Sequence, residues 1–366
     1  MDTREQPGRS GAGFHAGLVL DGRYRLERPL GEGGMGAVWV GHQIALDRAV
    51  AIKVLHVTDV QRGTSNARLR REALALAAVH HPAVVEVYDY GETTDGVPYV
   101  VMELVRGEGL AERMARRGAL PAEEAVALVL PLLDGLAAAH RAGIIHRDIK
   151  PENVILAAGR DGRGGEVAKL LDFGIASVTV AGDEARLTSD GGIIGTPAYM
   201  APEQMRGEAT DERTDVWGVG ALVYELIAGE PPFGEGNLFA VLGRVVSQPP
   251  PYPRRAQGLD GRLWALLMDA LRKDPAERTP SATALRDALA GWLAPRPARV
   301  ASPAGATPPP ALSPEAAAAR LAPTLLASSP AARTAPSVPS PPASLPLPAD
   351  DVPPSFDGLI RAKLDR

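Results

Sequence analysis

Between Pro295 and Pro354 the chain holds 17 of its 34 prolines and no aromatic residue. Proline fixes φ and donates no backbone hydrogen bond, and a segment without large apolar side chains cannot offset its ordering entropy. Residues 295–354, rich in Ser and Thr, are therefore predicted to be a disordered, partly polyproline-like linker. Folding is confined upstream. Residues 1–17 are polar and Gly-rich without periodicity and read as a disordered lead. From Tyr24 to Trp292, apolar periodic segments alternate with turn signals, which assigns 24–293 to a globular domain able to bury a sizeable core. The last stretch, 355–366, has Phe356, Leu359, Ile360 and Leu364 at helix-like spacing; it reads as a short docking helix or as a frayed terminus.

Charge and residue usage narrow the function classes. There are 39 basic and 44 acidic residues, a formal net charge of −5, which argues against a general nucleic-acid binder. The absence of cysteine excludes disulfides, thiolate metal sites and a cysteine nucleophile. No apolar run reaches the length of about 18 residues expected of a membrane span, and the N-terminus lacks a signal-peptide core. The expected setting is soluble and cytoplasmic. Only five of the basic residues are Lys: Lys53, Lys150, Lys169, Lys273 and Lys363. In a chain this rich in Arg, Ala, Gly and Pro, a retained Lys is either a position with a task or the scatter left by codon bias.

The first part of the domain reads as β-rich. RYRLERPLG, GAVWVGHQ and RAVAIKVLH are predicted strands, followed by a helix over 66–79 and two more strands, VVEVYDYG and VPYVVMEL. After Gly107 the pattern is helical. Pro121 opens a long helix that ends at Gly143 and contains Pro131, and further helices are predicted near 213–229, 236–247, 259–272 and 280–293. There is no internal repeat.

Four motifs carry chemistry. Leu30-Gly31-Glu32-Gly33-Gly34-Met35-Gly36-Ala37-Val38 fits G-x-G-x-x-G-x-V, whose glycines let backbone amides approach phosphate oxygens. It lies between two predicted strands, which disfavours a dinucleotide fold; a ligand-free hairpin turn is the alternative. In Val50-Ala51-Ile52-Lys53, strand alternation puts Ala51 and Lys53 on one face and Val50, Ile52 and Val54 on the other. Lys53 there needs an anionic partner, a phosphate or Glu72, unless it faces solvent on an edge. His146-Arg147-Asp148-Ile149-Lys150-Pro151-Glu152-Asn153 packs an acid, a Lys and an Asn between apolar runs. Leu170-Leu171-Asp172-Phe173-Gly174 ends an apolar strand on an acid suited to a metal ion. Blander readings make Asp172 a turn residue and Asp148 a helix cap.

In this order, and with Ala201-Pro202-Glu203 further on, the motifs resemble the eukaryotic-like Ser/Thr protein kinases of bacteria over about residues 24–293. The resemblance implies an α+β bilobal fold, with a small β-rich lobe (about 24–103) carrying one main helix and a larger helical lobe (about 106–293). It implies an enzyme that binds ATP and Mg²⁺ and phosphorylates protein Ser and Thr. By resemblance, residues 30–38 cover the phosphates, and Lys53, held by Glu72, pairs with the α- and β-phosphates. Val38 and Ala51 lie above the adenine and Ile155 below. Glu103 and Val105 read it through their backbones, with Met102 at the back. Asp148 accepts the substrate proton, Lys150 neutralises the transferring phosphoryl group, and Asn153 and Asp172 hold magnesium. Glu203 and Arg278 are expected to form a buried structural pair, Asp215 to brace the catalytic loop, and Trp217 to pack in the core.

Regulation is also implied by the resemblance. Arg147, directly before Asp148, is expected to pair with a phosphorylated activation loop running from Ile175 to Met200. Thr188 and Ser189 are the expected acceptors, with Thr179 next, and Thr196 is expected to hydrogen-bond Asp148 and Lys150. Asp190 stands where relatives often have a second Thr and would act either as a phosphate mimic or as a solvated loop acid. The expected partners are protein substrates, a second copy for phosphorylation in trans, and an unidentified partner for the tail, which reads equally as an inert tether. The competing readings are a pseudokinase scaffold and a small-molecule kinase of related fold. The retained Lys53, Asp148 and Asp172 argue against the first, and Ala201-Pro202-Glu203 against the second.

Overall fold

A computed structural model describes residues 13–33, 36–55, 62–159, 165–173, 197–234, 236–253 and 259–294. The linker and the terminal stretch lie outside them, as does the lead up to residue 12. Residues 13–17 belong to the fold: Gly17 N–H donates to the Leu26 carbonyl (2.7 Å), and Phe14 packs on the first apolar cluster.

The chain opens with β1 (Val19–Leu20), β2 (Tyr24–Gly33), β3 (Gly36–Gln43) and β4 (Arg48–Leu55). Helix α1 (Arg62–Ala77) follows, then β5 (Val87–Glu92) and β6 (Pro98–Glu103). The strands form one antiparallel six-stranded sheet in the order β1-β2-β3-β4-β6-β5. Alternation along β4 gives the sheet two apolar faces. Val50, Ile52 and Val54 join Leu26, Tyr99 and Val101 on one side, whereas Ala51 and Leu55 face α1 residues Leu69, Ala73 and Leu76 on the other. Gly36 closes the β2–β3 hairpin at φ +145°, and a Cβ there would lie 2.0 Å from the Val54 carbonyl oxygen. No other residue fits that approach.

β5 starts later than predicted because the VVEV run is shared between two sheets. Val84 bridges to Leu170, and Val85 N–H donates to the Leu170 carbonyl (2.9 Å). Leu170 closes β9 (Glu166–Leu170), which pairs with β8 (Val154–Ala158), itself paired with β7 (Gly107–Gly109). β9 is the apolar strand expected before Asp172, whereas β7, β8 and helix α2 (Leu110–Arg117) were not predicted as elements.

The larger lobe is built on α3 (Ala122–Arg141), α4 (Pro202–Met205), α5 (Glu212–Ala228), α6 (Leu238–Ser247), α7 (Gly261–Ala270) and α8 (Ala282–Leu293). α3 runs on through Pro131, which takes the helical donor from the carbonyl of Ala127, an exposed residue. α5 is the buried axis, with Val216, Val219, Leu222, Val223 and Leu226 in the main core. No helix among the described residues is long and apolar enough to cross a membrane.

Two buried ionisable features mark this lobe, one bracing it and one opposing it. Arg278 grips Glu203 through two hydrogen bonds (2.8 and 3.0 Å), and Thr214 adds a third to the same carboxylate (2.9 Å). Burial alone would push the Glu203 carboxyl up; Arg278 overturns that and holds it below its usual range. Removing one partner strands a buried charge, so Arg278→Ala should cost about 3–5 kcal/mol in urea unfolding.

Lys273 is different. Its Nζ is buried without a hydrogen-bond partner, 4.0 Å from the Phe233 ring centre and 4.8 Å from that of Trp217. Burial, aided by the Arg278 charge, lowers its pKa to about 7. In the unfolded chain the amine titrates near 10.4, roughly. As pH falls from 10 towards 7, about, only the unfolded chain takes up this proton, so the group lowers stability across that window and adds no further slope below it. Unfolding free energies across this range should show Lys273→Met removing that part of the slope.

Candidate active site

The loop between α3 and β8 owes its shape to one carboxylate. Asp215, on the first turn of α5, has no solvent exposure. It accepts the backbone N–H of His146 (2.8 Å) and of Arg147 (2.7 Å) and bonds His140 Nε2 (2.7 Å). The loop can therefore hold Arg147 at φ +65°, a left-handed conformation unfavourable for a side-chain-bearing residue. Ile149 packs on Gly218 of α5, where a Cβ would fall 2.8 Å from the Ile149 Cβ. A short 3-10 turn, Pro151–Asn153, then brings Asn153 back towards Asp148.

The Asp148 carboxylate is the focus of this turn. Lys150 Nζ donates to both its oxygens (3.0 and 2.8 Å), and Asn153 Nδ2 donates to one of them (2.9 Å) and to the Asp148 carbonyl (2.7 Å). The Asn153 amide nitrogen is thus committed inward, which frees its oxygen to serve a cation. His146 sits behind with no exposure. Its Nε2 lies 2.8 Å from the Leu171 carbonyl and so carries the proton, while Nδ1 accepts from Asp148 N–H (3.3 Å).

These bonds place Asp172 beside the loop. Leu171 N–H donates to the Asn153 carbonyl (2.8 Å), and the Phe173 ring lies 4.6 Å from that of His146. Asp172, at φ +48°, meets Lys53 Nζ at 2.9 Å. Lys53 projects from β4 opposite Val38, so the glycine-rich hairpin and this ion pair share one end of the sheet. Behind them an apolar pocket is lined by Lys53, Leu76, Val85, Met102, Asp172 and Phe173.

The sequence-predicted residues divide as follows. Asp148, Lys150 and Asn153 form one cluster, and Lys53 and Asp172 form the adjoining pair. Leu30, Gly31, Glu32 and Gly33 end β2, and Gly36, Ala37 and Val38 begin β3. Ala51 lies on β4, Met102 and Glu103 end β6, Val105 is in the linker beyond, and Ile155 lies on β8 opposite Lys169. Gly34, Met35, Thr179, Thr188, Ser189, Asp190 and Thr196 lie outside the described residues.

Glu72 was expected to hold Lys53. Lys53 forms an ion pair with Asp172, and Glu72, half-buried on α1, has an interaction of its own. A largely buried ammonium takes the nearest carboxylate, and the bonds that anchor Leu171 and Phe173 bring Asp172 there. Arg147 is also engaged: Nε donates to Thr210 Oγ1 (3.1 Å). Two groups escaped the sequence reading. Lys169 pairs with Glu103 and ties β9 to the end of β6, and its rarity as a Lys was the signal available. His140 beside Asp215 lacked any motif of its own.

The donor set suits a magnesium nucleotide: one carboxylate and one amide oxygen of the kind a hard cation prefers, with two ammonium groups beside them. The chain matches the protein kinase domain over residues 24–289. It belongs to the protein kinase family. Proteins of that family use ATP and Mg²⁺. The kinase domain here is 44% identical over 276 residues to the serine/threonine-protein kinase pkn2 of Myxococcus xanthus, covering 75% of this chain and 33% of that protein. It is 39% identical over 290 residues to PknL of Mycobacterium tuberculosis, covering 78% and 70%. The solved kinase domain of PknI from Mycobacterium tuberculosis superposes with a TM-score of 0.60 at 30% identity, covering 76% of this chain and 99% of that one. The chain spans a third of pkn2 and 51% of the M. xanthus kinase pkn3.

The packing of Ile149 on Gly218 gives a direct check on the loop. Gly218→Ala would press on the root of the Ile149 side chain, which cannot swing away. It should cost about 1–3 kcal/mol of stability, measured by thermal melting.

Proposed function

We propose that the chain is a Ser/Thr protein kinase that transfers the γ-phosphoryl group of ATP to protein hydroxyls. The observation that carries this reading is the Asp148 carboxylate held by Lys150 and Asn153 beside the Lys53–Asp172 pair. Asp148 accepts the proton of a substrate hydroxyl as its oxygen bonds to the γ-phosphorus and the bond to the ADP oxygen breaks. Lys150 stays beside the carboxylate and neutralises charge spreading over the phosphoryl oxygens. Lys53 pairs with the α- and β-phosphates, and residues 30–38 cover them with backbone amides. The carboxylate of Asp172 and the freed amide oxygen of Asn153 would hold Mg²⁺, which supplies charge neutralisation and orients the phosphates. Met102, Glu103, Val105, Val38, Ala51 and Ile155 form the adenine site in this reading.

Regulation in this reading runs through Arg147. Its Nε is bonded to Thr210, but both Nη groups lack a hydrogen bond among the described residues, which leaves them for a phosphate. The acceptors are Thr188 and Ser189, with Thr179 next, and Thr196 bonds Asp148 and Lys150. Phosphorylation in trans makes a second copy the transient partner. The linker and tail, 295–366, serve as tether or partner site, and the setting is cytoplasmic.

Incubation of the purified chain with labelled ATP, Mg²⁺ and a basic protein should give phosphoserine and phosphothreonine. Asp148→Asn should reduce the rate by about 10²–10⁴-fold. An inactive wild type, or an equally active Asp148→Asn variant, would remove the proposal. Thr188→Ala combined with Ser189→Ala should abolish loop labelling and lower activity; unchanged activity would remove the loop switch alone.

A further inference from the structure

The left-handed backbone of Arg147 is clamped from two sides. Asp215 takes its N–H, as described above. The carbonyl on the other side accepts from Gln204 Nε2 at 2.9 Å. That carbonyl belongs to the peptide joining Arg147 to Asp148, so whatever fixes it fixes the peptide plane from which the Asp148 side chain departs. The other end of the same amide is also engaged: Gln204 Oε1 accepts the N–H of Ala201 at 3.0 Å. Gln204 is 4% exposed, so these bonds are made away from water, where a mismatched donor or acceptor is costly.

We propose that Gln204 is a positioning residue for phosphoryl transfer, its amide locking the Arg147–Asp148 peptide to the Ala201–Met205 turn and so aiming the Asp148 carboxylate. The proposal rests on the reading of Asp148 as proton acceptor. The anchors of the turn are independent of Gln204: Glu203, its neighbour, is gripped by Arg278 and Thr214. The turn is thus a fixed base, and Gln204 is the arm from it to the catalytic loop. An amide is the required group, because one end must accept and the other donate. A carboxylate would set oxygen against the Arg147 carbonyl, and a thioether would leave both partners unpaired.

The test compares wild type, Gln204→Glu, Gln204→Met and Asp148→Asn as full chains, with thermal melting, kcat, and KM for ATP and for a peptide substrate. Gln204→Glu keeps the size and an oxygen for the Ala201 bond and loses the donor to the Arg147 carbonyl. The expected result is a kcat lowered about tenfold or more in both Gln204 variants, with KM for ATP within about twofold of wild type and melting showing folded protein at assay temperature. A purely structural role would lower the melting temperature and leave kcat per folded molecule unchanged. A kcat within about twofold of wild type in the folded variants overturns the proposal, and so does failure of both variants to fold, which would make Gln204 a stability residue only. If Asp148→Asn keeps full activity, the reading of Asp148 fails, whatever the Gln204 variants do.

Discussion

The site depends on placing a carboxylate where water cannot reach it. Asp215 is fully buried, and its desolvation is offset only because two backbone amides and His140 converge on it. That convergence forces the loop between α3 and β8 to turn at Arg147, and the turn presents Asp148 outward. Lys150, Asn153 and Asp172 then fall into place through short-range bonds. The long helix α5 serves the chemistry by holding one acid still.

The two lobes contribute differently. The small lobe supplies a hairpin of glycines and one ammonium group, and the large lobe supplies the acids and the amide. They meet at Lys53 and Asp172, a pair joined across the cleft by charge. A bond of this kind can exchange partners, because either ion is satisfied equally by a phosphate or a cation. The buried Glu203–Arg278 pair cannot exchange in that way, since both partners are sealed in the core. One ion pair is suited to operating and the other to holding.

Much of the fold was legible in the sequence because local rules and packing agree there. β3 and β4 came out as predicted, since strict alternation along Val50–Val54 admits only one register. Of the six predicted helices, α3 and α5 to α8 fell within a few residues of their predicted limits, whereas α1 begins at Arg62, upstream of its apolar stripe. In the small sheet β9 was legible from its apolar run before Asp172, but β7 and β8 were missed, because they are only three and five residues long and β7 pairs with β8 from a distant part of the chain. At the site, the motif residues were visible but their clamps were not. Asp215 was foreseen as a brace only through resemblance, and Gln204 and His140 carry no local signal, because a buried hydrogen bond between remote segments leaves no period or spacing to read.

The lysines carry a last consequence. Those within the described residues are all withdrawn from the surface: Lys53, Lys150 and Lys169 show side-chain exposures of 12%, 16% and 12%, and the Lys273 amine is buried. Arginine provides the positive charge that faces water. An acylating reagent would therefore find few exposed amines among the described residues, and protection of Lys53 and Lys150 from such a reagent would report nucleotide occupancy without any engineered label.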